Sequence, residues 1–357
     1  MRCRALILAF GLMLSNLAFD AAGAVDPPHI NKPRPAPADM PPDVPPLPPA
    51  QFDNKLAIGG EDVKAKKVST RLSVDVLVNG RGPYQFVVDS GADTSVVGLK
   101  IAHDLELPLG TPAILNGTTD RALVDRVKVA QLTLGPSVIT NLELPALKED
   151  DVGGAGLIGI DALTKQRLMM DFEQRVIKVE DARTPIKAEP GEIIILGYRR
   201  HGQLILTEVR AGGIPIEAVI DTGSEVTIGN SALRDKLLRK GREKFWTVPA
   251  TGVTGVTVQL QMARVGDLEL GPVNLQDVPI AFADVPPFKL FGLDNEPALL
   301  LGTDLLETFR RVSLDFLARK VRFQLRRCRS EAIFVSTSPG EMATRISSRG
   351  DPDVCGR

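Results

Sequence analysis

Two short stretches of this chain could each deliver a carboxylate to a water molecule. One reads Phe86-Val87-Val88-Asp89-Ser90-Gly91-Ala92. The other reads Ala218-Val219-Ile220-Asp221-Thr222-Gly223-Ser224 and lies 132 residues further on. Each is an apolar run that ends in Asp, a small hydroxyl residue, Gly and a small residue. One such run alone is a strand-end Asp closing a turn. A pair carries different chemistry. Two carboxylates brought to about 3 Å cannot both ionise easily, so they hold one proton between them and titrate as a unit. The ionised member can take a proton from water while the protonated member donates to a carbonyl oxygen. Ser90 and Thr222 offer hydroxyls able to bond backbone across an interface. Gly91 and Gly223 allow a sharp turn and the close approach of another segment.

The elements around these runs repeat as well. Arg71–Val78 alternates apolar and polar residues, Asn79-Gly80 supplies a hairpin turn, and the returning strand enters Asp89. Gln203–Val209, Ala211-Gly212-Gly213 and Ile216–Ile220 enter Asp221 in the same order. Downstream, Leu132-Thr133-Leu134-Gly135-Pro136 matches Leu268-Glu269-Leu270-Gly271-Pro272 at an offset of 136. Leu157-Ile158-Gly159 matches Leu300-Leu301-Gly302 at 143, and Asp171-Phe172 matches Asp315-Phe316 at 144. Four anchors in one order mean an internal duplication. One lobe is expected at 55–183 and a second at 190–327, joined through Lys187–Gly191. If the lobes pair about a pseudo-twofold axis, Asp89 and Asp221 meet at its centre. Helices are expected to be few and short, over Val97–Leu107, Ser231–Lys240, Asp161–Arg167 and Asp304–Arg310. Asp161 and Asp304 are expected to cap the helices behind them. Asp93 and Glu225 read equally as structural charges or as site residues. Trp246, the only tryptophan, reads as a packing anchor.

Asp89-Ser90-Gly91-Ala92-Asp93-Thr94-Ser95-Val96-Val97 resembles the active-site phrase of retropepsin-like aspartic proteases, and Asp221-Thr222-Gly223-Ser224 resembles its pepsin-like form. Leu157-Ile158-Gly159 and Leu300-Leu301-Gly302 are similar to the apolar-apolar-Gly element through which that family threads the Asp loop. The resemblance implies a mostly β acid-protease fold: two retropepsin-like β-barrel lobes about a pseudo-twofold axis, with a cleft between them. It implies peptide hydrolysis by Asp89 and Asp221, shaped by Ser90, Gly91, Ala92, Thr222, Gly223 and Ser224, with no covalent intermediate, no metal and no cofactor. Flaps are expected at Leu115–Thr119 and Thr251–Gly255, with Gly117, Thr118, Gly252 and Gly255 at their tips. Neither Tyr84 nor Tyr198 falls in those stretches, a departure from pepsin-like lobes. Ser224 can hydrogen-bond near the dyad and Ala92 cannot, which predicts that Asp221 ionises more readily. The alternative on the same fold is a catalytically silent peptide-binding or scaffold protein.

Composition excludes other classes. With 43% hydrophobic and 24% charged residues the chain is globular, and a net charge of −1 gives nucleic acid no basic partner. The three histidines (His29, His103, His201) form no metal-binding or serine-triad pattern, and no phosphate loop or dinucleotide fingerprint follows a strand. Arg2 and Arg4, the apolar stretch Ala5–Phe19 and Ala22-Gly23-Ala24 read as a signal peptide over 1–24. The protein is therefore expected to be exported, periplasmic or secreted, monomeric, and membrane-bound only if that segment is retained. Residues 25–54, with eleven prolines between 25 and 50, read as a disordered linker that could act as tether or propeptide. Residues 328–357 read as a flexible tail, in which Cys328 and Cys355 either form a disulfide or stay free.

Overall fold

The alternation along Arg71–Val78 forms a strand with Val74, Val76 and Val78 buried and Asp75 exposed. It turns at Asn79-Gly80, both with positive φ (49° and 74°), into the strand Arg81–Val88. Asn-Gly suits this turn because both central residues must enter the left-handed region. A computed structural model of the protein describes residues 29–37, 51–52, 61–64, 66–68, 71–135, 137–163, 166–186, 189, 191–200, 202–238, 244–326 and 346–348. The expected signal segment, Cys3, Cys328, Cys355 and nearly all of the expected tail lie outside these residues.

The protein is mostly β, with two lobes of the same topology. In lobe one, Arg126–Leu134 pairs with Ser137–Leu147, which continues through Val96–Gly98, Gly156–Ile158 and Arg81–Val88 to Arg71–Val78. Arg71–Val78 pairs back onto Arg126–Leu134 and closes the barrel. Lobe two repeats the circuit through Thr257–Leu270, Val273–Phe282, Ile228–Gly229, Ala298–Leu301, Ile214–Ile220 and Gln203–Ala211. Closure removes free edges from the sheet. The barrel interiors are filled by Val, Leu and Ile, each contributing about 1.5–3 kcal/mol on full burial.

The lobes share a further sheet. Gln166–Asp171 pairs antiparallel with Arg311–Asp315, and each continues outward through its own hairpin partner, Val176–Asp181 or Lys320–Gln324. Glu61–Lys64 and Glu192–Arg200 extend the two sides. Met169 lies directly opposite Ser313, its own counterpart in the repeat, so the pseudo-twofold axis passes between them. Arg167 Nε donates to Asp315 Oδ2 at 3.0 Å, and Arg311 Nε donates to Asp171 Oδ2 at 3.2 Å. These are one ion pair repeated across the axis.

Helices are shorter than expected. Val96–Gly98 is a strand, because it must pair with Gly156–Ile158 and Ser137–Leu147, and the helix is confined to Leu99–Asp104. Gln166-Arg167 and Arg311 belong to the shared sheet, leaving single turns at Ile160–Leu163 and Thr303–Leu306. The helix Ser231–Leu237 is capped by Asn230, whose side chain accepts from the Leu233 amide at 2.9 Å. The expectation of a disordered linker over 25–54 is corrected in part: residues 29–37 are ordered along lobe one, with a strand at Arg34–Pro35. Among the described residues no helix is long and apolar enough to cross a membrane.

Candidate active site

Asp89 and Asp221 each follow the last residue of a buried strand. The Asp89 amide donates to Ile158 O and the Asp221 amide to Leu301 O, both at 2.9 Å. Each carboxylate folds back over its own loop. Asp89 Oδ1 accepts from the amides of Gly91 (2.8 Å) and Ala92 (3.0 Å), and Asp221 Oδ1 from those of Gly223 (3.1 Å) and Ser224 (3.0 Å). The inner oxygens are thereby held, and the two carboxyl groups come within hydrogen-bonding reach of each other.

Ser90 and Thr222 lock the loops together. The Ser90 amide donates to Thr222 Oγ1 at 2.9 Å, and the Thr222 amide to Ser90 Oγ at 3.2 Å. Ser90 Oγ in turn donates to Ile220 O, and Thr222 Oγ1 to Val88 O, both at 2.9 Å. Each buried hydroxyl therefore accepts from and donates to the opposite lobe, leaving no polar atom of the crossing unsatisfied. Such bonds contribute about 1 kcal/mol each, and more is lost when one partner is left buried alone. The glycines are dictated by the same approach. A Cβ on Gly91 would stand 2.5 Å from Asp221 Cγ, and one on Gly223 would collide with the Asp89 carboxylate.

Burial first, and then the charge of Asp221, push the Asp89 carboxyl up to about 8, against the opposing pull of its two amide donors. The asymmetry does not come from the Ser224 hydroxyl as the sequence implied. That hydroxyl donates to Val226 O at 2.7 Å, and only its amide serves the carboxylate, as Ala92 does for Asp89.

Behind each loop lies a second tie that sequence reasoning did not find. Ser95 Oγ donates to Asp161 Oδ1 at 2.7 Å and accepts from the Gly159 amide at 3.0 Å. Thr227 Oγ1 does the same with Asp304 Oδ1 (2.7 Å) and the Gly302 amide (3.1 Å). Asp161 and Asp304 thus hold the outgoing strand of the Asp loop. Each also accepts from the amide that follows it, Ala162 or Leu305. Burial raises both carboxyls, Asp304 to about 6. The apolar-apolar-Gly element is tight, since a Cβ on Gly159 or Gly302 would lie 2.6 Å from the carbonyl carbon of Thr94 or Val226. Gln203, wholly buried in lobe two, reaches under the lobe-one loop and donates to Gly91 O and Asp93 Oδ1, both at 3.0 Å. Its only signal in the sequence is a polar residue heading an apolar strand.

The expected flaps are hairpins. Ala113–Asn116 and Arg121–Val124 carry a tip with Gly117, Thr118, Thr119 and Asp120, and Trp246–Thr251 and Thr257–Leu270 carry a tip with Gly252 and Gly255. The tips meet. Thr254 Oγ1 donates to Asp120 Oδ1 at 2.5 Å, and Thr119 packs against Gly252. Val253 packs with Ala92 and Leu115 against a lobe-one cluster containing Val96, Ala122 and Leu157. Trp246 heads the second flap, half-buried, with the Arg264 guanidinium 5.8 Å from its ring.

A family model described as aspartyl protease matches this chain twice, over residues 74–162 and 207–305. The chain belongs to the aspartyl protease family. Each match holds one Asp loop together with its apolar-apolar-Gly element, so the family's unit is one lobe. No curated protein matches the chain. Membership in the aspartyl proteases implies a peptide substrate. Among the described residues no cluster of His, Cys, Asp and Glu could hold a metal ion.

Proposed function

We propose that the protein is an aspartic endopeptidase in which Asp89 and Asp221 share one proton. The observation that carries this reading is the Ser90–Thr222 crossing, which presses the two loops together until the carboxyls face each other. Asp89, raised to about 8, keeps the proton at neutral and acid pH. Asp221 acts as the base. It takes a proton from a water whose oxygen attacks the scissile carbonyl carbon, while Asp89 gives its proton to the carbonyl oxygen. Asp221 then passes the proton it took to the amide nitrogen, the C–N bond of the gem-diol breaks, and one of its hydroxyls returns a proton to Asp89 as a carboxylic acid is left. An extended peptide would add strand-like hydrogen bonds beneath the flaps. The leader-like first 24 residues support export to a periplasm or the exterior, and the presence of both Asp runs in one chain supports a working monomer.

A mixed peptide library, digested across pH and read by mass spectrometry, tests this. Asp89→Asn and Asp221→Asn should each lower cleavage by about 10³-fold or more. Peptide binding without cleavage by the native chain at every pH would instead make it a binding module.

A further inference from the structure

We propose that residues 29–37 form a strap that braces the lobe-one flap and slows its opening. The strap makes the flap a three-stranded sheet by adding Arg34–Pro35 to the outer edge of Arg121–Val124. Arg34 lies opposite Leu123, Pro35 opposite Ala122, and the Ala36 amide donates to Arg121 O at 3.1 Å. At the other end, the Asn31 amide and Nδ2 both donate to Asp125 Oδ2, at 2.8 and 2.9 Å. Asp125 is buried and sits at the flap's base, between Arg121–Val124 and Arg126–Leu134. Ile30 packs onto the main core. The strap therefore runs from the lobe's body, past the hinge and up toward the flap tip.

Its proline content fits this role. In a strand, alternate amides point to opposite sides. With the Ala36 amide directed at the flap, Pro33, Pro35 and Pro37 take the outward positions, where no N–H is needed. An outer edge without donors cannot recruit a fourth strand. A two-stranded hairpin is marginal alone in water, and a third strand anchored on a core stiffens it. The bonds described for the strap go to the flap and to Asp125 at its base, so it acts on the lid. Opening the flap requires it to leave the Val253 contact and the Thr254–Asp120 bond, and the strap adds its own resistance.

The strap does not depend on the protease reading, but its effect on hydrolysis does. In the full chain, Asn31→Ala removes the side-chain bond to Asp125, and Ala36→Pro removes the amide bonded to Arg121. Hydrogen exchange across residues 113–124 should quicken about ten-fold in the double variant. Exchange in Gln166–Asp171 and Arg311–Asp315 should stay unchanged, and Asn31→Ala alone should give an intermediate effect. Hydrolysis of a fluorogenic peptide well below KM should rise about three-fold, as the lid opens more readily. Unchanged exchange in the flap overturns the strap, and so does exchange that quickens equally in both lobes. Faster flap exchange with unchanged or slower hydrolysis overturns the brake. If the native chain cleaves nothing, the protease reading fails, and exchange still decides the strap.

Discussion

Burial and the neighbouring Asp221 raise the Asp89 carboxyl far above the ordinary aspartate range, and this has two consequences with opposite uses. In the proposed chemistry, a proton on Asp89 is the acid that polarises the peptide carbonyl. The kcat/KM of peptide hydrolysis should fall as pH rises through about 8, and a profile flat to pH 10 would remove Asp89 from that role. For stability, the folded value lies above the unfolded one near 3.8, so the folded state binds the proton more tightly. That contribution is complete below about pH 4 and is lost as pH rises toward and through 8. Urea denaturation should therefore show stability declining over this window in the native chain and declining less in Asp89→Asn. Identical slopes would contradict the raised value. The two carboxylates were legible in the sequence because the same run occurs twice. Which one holds the proton was read from Ser224, and that reason fails since the hydroxyl is turned to Val226. Rotamer choice at an Asp loop leaves no trace in residue order.

At the scale of elements, each Asp loop is a strand, a turn and a returning strand threaded past a glycine. The hydroxyls of Ser95 and Thr227 fix that threading by bridging a buried carboxylate and a glycine amide. Thr227→Val keeps the volume and loses both bonds. It should cost about 1–3 kcal/mol in urea denaturation, and Thr227→Ser should recover most of it. Loss in Thr227→Ser but none in Thr227→Val would mean that the methyl group matters and the hydroxyl does not. The hairpins, the Asn79-Gly80 turn and both flap tips were legible from alternation and glycine placement. Asp161 and Asp304 were misread as helix caps, because their partners lie 66 and 77 residues away in the chain and are set by threading. The strand at Arg34–Pro35 was missed for another reason. Proline discourages pairing in general, and only its spacing of two reveals a strand bonded on one side.

Across the whole molecule, the lobes are joined by the Asp-loop crossing and by the shared sheet with its Arg167–Asp315 and Arg311–Asp171 pairs. Arg167 and Asp315 are nearly inaccessible, at 4% and 3% side-chain exposure. Removing one partner of such a pair leaves a buried charge alone. Arg167→Met should destabilise the protein by about 3–5 kcal/mol, and Arg167→Met with Asp315→Leu should recover much of this loss. A single variant that unfolds at the native urea concentration would contradict the pairing. The repeat offset of 144 already marked these strands, although nothing in residue order told that they face each other.

Each of those strands carries Arg at its start and Asp four places on: Arg167-Leu168-Met169-Met170-Asp171 and Arg311-Val312-Ser313-Leu314-Asp315. Reversed and laid beside itself, such a strand sets its Arg against its own Asp, so the charge pattern is a palindrome. Each lobe therefore brings to the seam the same charge pattern that it meets there, one motif read in both directions.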